Sequence, residues 1–146
     1  MLSTDHKGTI AETAIVARAV RLGIDVYLPV NDGLRWDLLF GSEMAFLRVQ
    51  CKWGRRQGNV VVVSTASAGR TRDGIVRRTY SRHEIDIVAA YCAELDRAFL
   101  LPPDVFDGHP AAWLRLAPTK NNQRIGVRWA DDFEFGATLG LTLKGP

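Results

Sequence analysis

Between residues 9 and 22 the chain reads Thr-Ile-Ala-Glu-Thr-Ala-Ile-Val-Ala-Arg-Ala-Val-Arg-Leu. Ile10, Ala14 and Ala17, together with Ile15, Ala19 and Leu22, recur at three- and four-residue spacing, which is one apolar stripe of a helix. Thr9 is placed to cap its start, with Glu12 as the capping-box partner, and Gly23 stands where a helix C-cap belongs. The pattern then changes. Ile24 to Leu28 is a short apolar run closed by Pro29 and the turn Asn31-Asp32-Gly33. Arg35–Phe40 and Met44–Trp53 read as two further strands around Gly41-Ser42, so a three-stranded antiparallel meander is expected after the helix.

Gly54 to Asn59 reads as a basic loop. The β-branched run Val60–Val63 predicts a strand buried on both faces. Ser64 to Thr79 mixes small, polar and arginine residues without a period, which predicts a mobile loop. Ser81 with Glu84 is a second capping box, so a short helix through about Val88 is expected. Ala89–Cys92 and Arg97–Leu101 read as two strands around a turn, ended by Pro102-Pro103. Trp113–Leu116 is a further strand, 118–123 a polar loop, and Trp129–Phe135 a terminal helix. The order of elements gives a mixed α/β fold around one central sheet.

Composition narrows the class. A chain of 146 residues with 47% hydrophobic and 24% charged residues has the size of one domain and buries a core without staples. Its two cysteines, Cys51 and Cys92, fit a reducing, cytoplasmic compartment, and no zinc-ligand spacing is present. No apolar run approaches the roughly 20 residues that span a bilayer, and Met1–Lys7 lacks a signal peptide's apolar stretch.

The formal charge of +3 permits a polyanionic partner without demanding one. The distribution says more. Lys52, Arg55, Arg56, Arg70, Arg72, Arg77, Arg78 and Arg82 follow closely, with Asp73 the one acid between Arg55 and Arg82. The bland reading is a solvated loop. The sharper one is a guanidinium strip along a nucleic-acid backbone, carried by Arg55, Arg56, Arg70, Arg72, Arg77 and Arg78.

Candidate chemistry sits on the meander. Strand side chains alternate, so Gln50 and Lys52 share one face, about 6–7 Å apart along the strand, while Cys51 points into the core. A hairpin sets Asp37 beside Gln50. Phosphodiester hydrolysis needs such a set. Asp37 supplies a charged oxygen to a hard cation such as Mg2+ or Mn2+, Gln50 a neutral one and the Cys51 carbonyl a third. Lys52 is placed to act on the water or the phosphate, and Glu12 to support the cation from the helix. Each has a plainer reading too. Asp37 alone is an exposed strand residue, Lys52 a sheet-edge charge and Glu12 a capping residue. His6, His83 and His109 share no spacing and read as solvated, and the four tryptophans read as core.

Glu12, Trp36-Asp37-Leu38 and Val49-Gln50-Cys51-Lys52 together resemble the core of the PD-(D/E)XK nucleases. The likeness is closest to the group I intron homing endonucleases of that superfamily, and next to archaeal Holliday junction resolvases. It extends to Lys7–Glu12, Arg35–Leu39, Glu84–Asp86, Tyr91-Cys92, Phe99–Pro102 and Asn121–Gln123. The resemblance implies a restriction-endonuclease-like fold, a mixed central sheet flanked by helices, as a single domain over 1–146. It implies metal-dependent cleavage of double-stranded or branched DNA. Cutting both strands from so small a core calls for a homodimer or homotetramer. Two departures stand out. Trp36 replaces the motif's proline, and Gln50 replaces its third acid, which weakens attraction for a cation. Glutamine at this place is compatible with cleavage in the homing branch. The alternatives are a junction-resolving or repair nuclease, a non-catalytic DNA- or junction-binding module, and a protein in which Asp37–Lys52 is merely an ion pair.

Overall fold

The computed structural model describes residues 1–118 and 126–136. Helix α1 spans Thr4–Arg21 and so begins before the apolar stripe does. Ser3, not Thr9, caps it: the Ser3 hydroxyl accepts from the His6 N–H at 3.1 Å. Thr9 instead donates its hydroxyl back to the Asp5 carbonyl at 3.1 Å. Glu12 therefore lies well inside the helix and has no capping role, which corrects that expectation. Ala11, Ile15 and Ala19 form the buried face.

The strands follow as β1 (Asp25–Tyr27), β2 (Leu38–Gly41), β3 (Phe46–Trp53), β4 (Arg55–Gln57), β5 (Val60–Ser64), β6 (Ala66–Thr71) and β7 (Gly74–Thr79). After these come β8 (Ile87–Cys92), β9 (Arg97–Leu101), a short α2 (Pro103–Phe106), β10 (Ala111–Arg115) and a 3-10 turn at Ala130–Phe133. The main sheet has the order β1-β2-β3-β8-β9. The expected meander is present as β1–β2–β3, and β8 then joins β3 in parallel, so the sheet is mixed.

One face of this sheet carries Leu38, Phe40, Val49, Cys51, Ala89 and Leu100 against Ile15 and Ala19 of α1. The other carries Val88, Ala90, Phe99 and Leu101 against Val61, Val63, Ala112 and Leu114. Those last four come from a second sheet of order β10-β5-β4. The expected mixed central sheet is present: α1 covers one face, and the second sheet together with Val105 and Phe106 of the short α2 covers the other.

Further differences share a physical cause. In β5 only Val61 and Val63 are fully buried, because the strand covers a core with one face and leaves Val60 and Val62 partly open. The basic loop contains β4, which pairs with β5. The stretch 64–79 is not a loop but the ribbon β6–β7, exposed on both faces and hence without a hydrophobic period. The second capping box forms only a turn: Ser81 N–H reaches Glu84 at 3.3 Å, but Asp86 N–H binds the Arg48 carbonyl at 2.9 Å and draws the chain into β8. The expected terminal helix is the 3-10 turn, and Trp113 is 58% exposed rather than core. The expected loop at 118–123 lies, beyond Pro118, outside the described residues. Among the described residues no helix is long and apolar enough to cross a membrane.

Candidate functional site

The site grows from the point where β2 parts from β3. Leu38 is the last paired residue of β2, opposite Val49. Just before it, Asp37 donates its N–H to the Val49 carbonyl at 2.8 Å, and its carboxylate accepts the Cys51 N–H at 2.9 Å. A side chain thus replaces the next backbone rung. The Cys51 carbonyl, which faces the same edge as its N–H, lies beyond the ladder. It accepts from the Gln50 side-chain N–H at 3.5 Å. For Gln50 to offer its oxygen to a cation beside that carbonyl, the amide must turn over.

Lys52 leaves β3 on the face opposite Cys51. Its ammonium donates to the Ala66 carbonyl at 3.2 Å and lies 5.0 Å from the Tyr80 ring centre. Glu12 approaches from α1. With Asp37, Pro29, Asn31, Asp32 and Trp36 it lines a pocket of about 250 Å3.

The charges are coupled. Burial and then the neighbouring Asp37 push the Glu12 carboxyl up. Burial also raises Asp37, outweighing the Cys51 N–H and Lys52 that pull it down. Burial lowers the Lys52 ammonium against the pull of Asp37, and Arg35 adds to the lowering. The Cys51 thiol is raised well above its ordinary value by burial, then by Asp37 and Glu12. Two partly desolvated carboxylates that repel each other, beside a carbonyl held only by a long 3.5 Å bond from Gln50, favour a cation between them. The donors are all oxygen, which suits a hard divalent ion, so the residues fit such a group. Among the described residues no three His, Cys, Asp or Glu side chains form a group that could hold a metal ion.

Asp37, Glu12, Cys51 and Lys52 are therefore brought together, with Gln50 beside them on β3. Arg48, on the Gln50 face, is drawn away to Asp86, where its Nε lies 3.1 Å from the carboxylate. The cationic stretch divides. Arg55 and Arg56 lie exposed on β4, Arg70, Arg77 and Arg78 on the ribbon and Arg72 at its tip. Arg78 pairs with Glu84 at 2.8 Å, and Arg82 with Asp107 at 2.7 Å. Sequence reasoning missed Arg35 and Tyr80. The Arg35 guanidinium lies 4.2 Å from the Tyr80 ring centre and binds Glu84 at 3.0 Å. No spacing rule signals such long-range partners.

A mixed sheet backed by one helix, with acids and a lysine where two strands part, defines a restriction-endonuclease-like nuclease fold. The chain belongs to the PD-(D/E)XK endonuclease family, whose sequence model matches residues 2–136. Its structure is similar to that of a bacterial homing endonuclease, I-Ssp6803I, with a TM-score of 0.77 and 31% identity over 97% of this chain and 95% of that one. No curated protein sequence matches it. PD-(D/E)XK nucleases generally use divalent metal ions, and DNA is the substrate this membership indicates.

Proposed function

We propose that this chain is a homing-endonuclease-like enzyme that hydrolyses phosphodiester bonds of double-stranded DNA with Mg2+ or Mn2+. The observation that carries the reading is the coupled cluster of Glu12, Asp37 and Lys52 around the Cys51 rung, in a chain of this family. Asp37 and Glu12 hold the cation, the Cys51 carbonyl adds a neutral oxygen, and Gln50 another once its amide has turned. The bound ion supplies a Lewis acid and lowers the pKa of an attached water. Lys52, fixed by the Ala66 carbonyl, directs its remaining N–H donors to the attacked phosphate or the attacking water. Arg55, Arg56, Arg70, Arg72, Arg77 and Arg78 draw DNA to this side of the molecule, with Arg78 weakened by its bond to Glu84.

One such site cuts one strand, so the working unit is a homodimer or a dimer of dimers. The exposed apolar Val20, Leu22, Tyr27, Leu28 and Val30 support self-association. Supercoiled plasmid, linear duplex and a four-way junction, each incubated with Mg2+ or Mn2+, test the reading. Metal-dependent nicking of duplex DNA is expected. Cleavage confined to the junction would replace it with a junction-resolving activity, and binding without cutting in every metal would leave a non-catalytic module.

A further inference from the structure

Among the described residues the ribbon β6–β7 pairs with no other strand. Residues 68–78 are all exposed. Its two faces differ. The register Arg70↔Ile75 and Ala68↔Arg77 puts Arg70, Ile75 and Arg77 on one face. The opposite face carries Gly69, Gly74, Val76 and Arg78, and its arginine is held by Glu84 at 2.8 Å. The side chains of Arg70 and Arg77 have no hydrogen-bond or ion-pair partner among the described residues. Ile75, beside Arg70, is 69% exposed.

This mixture discriminates between two uses. A ribbon that tracks phosphates needs charge alone, and an isoleucine among its arginines serves nothing there. Base edges in a major groove present acceptors for an arginine fork and a thymine methyl for an apolar side chain. Dimensions agree. Strands of six residues extend about 20 Å. Two paired strands fit a groove about 12 Å wide and 8.5 Å deep.

The root is fixed to the candidate site. Arg35, two residues before Asp37, donates to the Ser67 hydroxyl at 2.6 Å and to the Thr79 carbonyl at 3.0 Å. Lys52 donates to the Ala66 carbonyl at 3.2 Å. A base read by the ribbon therefore stands at a set distance from the bond to be cut.

We propose that the β6–β7 ribbon is the sequence-reading element of this nuclease, lying in the major groove of B-form DNA with Arg70, Ile75 and Arg77 against base edges. This rests on the DNA reading above and goes further by dividing readers from backbone-tracking arginines. The test uses the full chain in calcium buffer and a pool of duplexes with a randomised centre. Two variants keep the net charge: Arg70→Lys, which loses the fork, and Ile75→Ala. Both positions are exposed, so folding is unaffected, checked by thermal midpoint. The unmutated protein is expected to enrich a sequence. Each variant is expected to bind that sequence about 10–100-fold more weakly. Binding to scrambled duplex stays within about twofold with the same salt slope, and re-selection loses one or two base pairs. An unchanged selected sequence with equal affinity on both duplexes overturns the reader role. If the unmutated chain binds no duplex, the DNA reading itself falls before any variant is compared, and the ribbon's role with it.

Discussion

The Lys52 ammonium lies 5.0 Å from the Tyr80 ring centre, and the Arg35 guanidinium lies 4.2 Å from the same ring. The lysine is thus held between an aromatic face and the Ala66 carbonyl while a second cation pushes on it. Lys52→Ala is expected to lower DNA cleavage by about 100- to 1,000-fold, the usual loss for one preorganised donor. Duplex affinity should stay within about threefold, since a single cation contributes little to a backbone footprint. Single-turnover rates beside gel-shift affinities separate the two. Cleavage at the original rate would remove Lys52 from the chemistry.

Gln50 tests the metal reading from the opposite direction. Gln50→Glu adds a third carboxylate beside Asp37 and Glu12. In the metal-free protein it adds repulsion to a pair already raised, so the thermal midpoint is expected to fall by a few degrees, for about 1 kcal/mol. Affinity for Mn2+ should rise at least about tenfold, because each further charge strengthens the hold on a hard cation. Glu12→Gln should do the reverse on both counts. Calorimetric titration with Mn2+ and thermal melts with and without metal read this directly. Unchanged Mn2+ affinity in both variants would place the cation elsewhere.

A separate acid governs how the fold responds to pH. Burial pushes the Asp86 carboxyl up, but hydrogen bonds from the Arg48 side chain and N–H outweigh it and hold the group below its ordinary value. A carboxyl depressed in the folded state gives its full stabilisation above the unfolded pKa of about 3.9. That stabilisation is lost as the pH falls through the lower folded value. Asp86→Asn is therefore expected to lose about 1 kcal/mol at pH 7, discounted for partial exposure, and nothing at a pH below both values. Urea midpoints across this range decide it. A constant difference at every pH would mean that packing, not charge, is lost.

These residues show what the sequence makes legible. The alternation along β3 separates Gln50 and Lys52 from Cys51 without coordinates, because one strand face is apolar throughout. The stripe through Ile15 and Ala19 marks the core face of α1. Its true start is silent, since residues 4–9 carry charge and small side chains that face water. The ribbon is silent for a related reason: strands exposed on both faces leave no period to read. The Arg35–Tyr80 contact depends on the ribbon's root folding back beside β2, a relationship no local pattern encodes. Arg48 misleads in the other direction. It shares a face with Gln50, yet Asp86 claims it from the start of β8.

Self-association has its own surface. Val20 and Leu22 at the end of α1 are 59% and 52% exposed, and Tyr27 and Leu28 around β1 are 47% and 64% exposed. Among the described residues β1 is also an edge strand of the main sheet, paired on one side only. An apolar edge of this kind is a liability in a free monomer and an asset in a symmetric pair. Val20→Lys combined with Tyr27→Lys places charge at both sides of it. Neither side chain is buried, so each substitution should change the stability of the single chain by less than about 0.5 kcal/mol, read by thermal melts. Sedimentation should shift the mass to a single chain. On supercoiled plasmid, that monomer is expected to give nicked circles where the parent gives linear product, because one site meets one strand at a time. Unaltered mass with both lysines in place would move the interface to another face of the molecule.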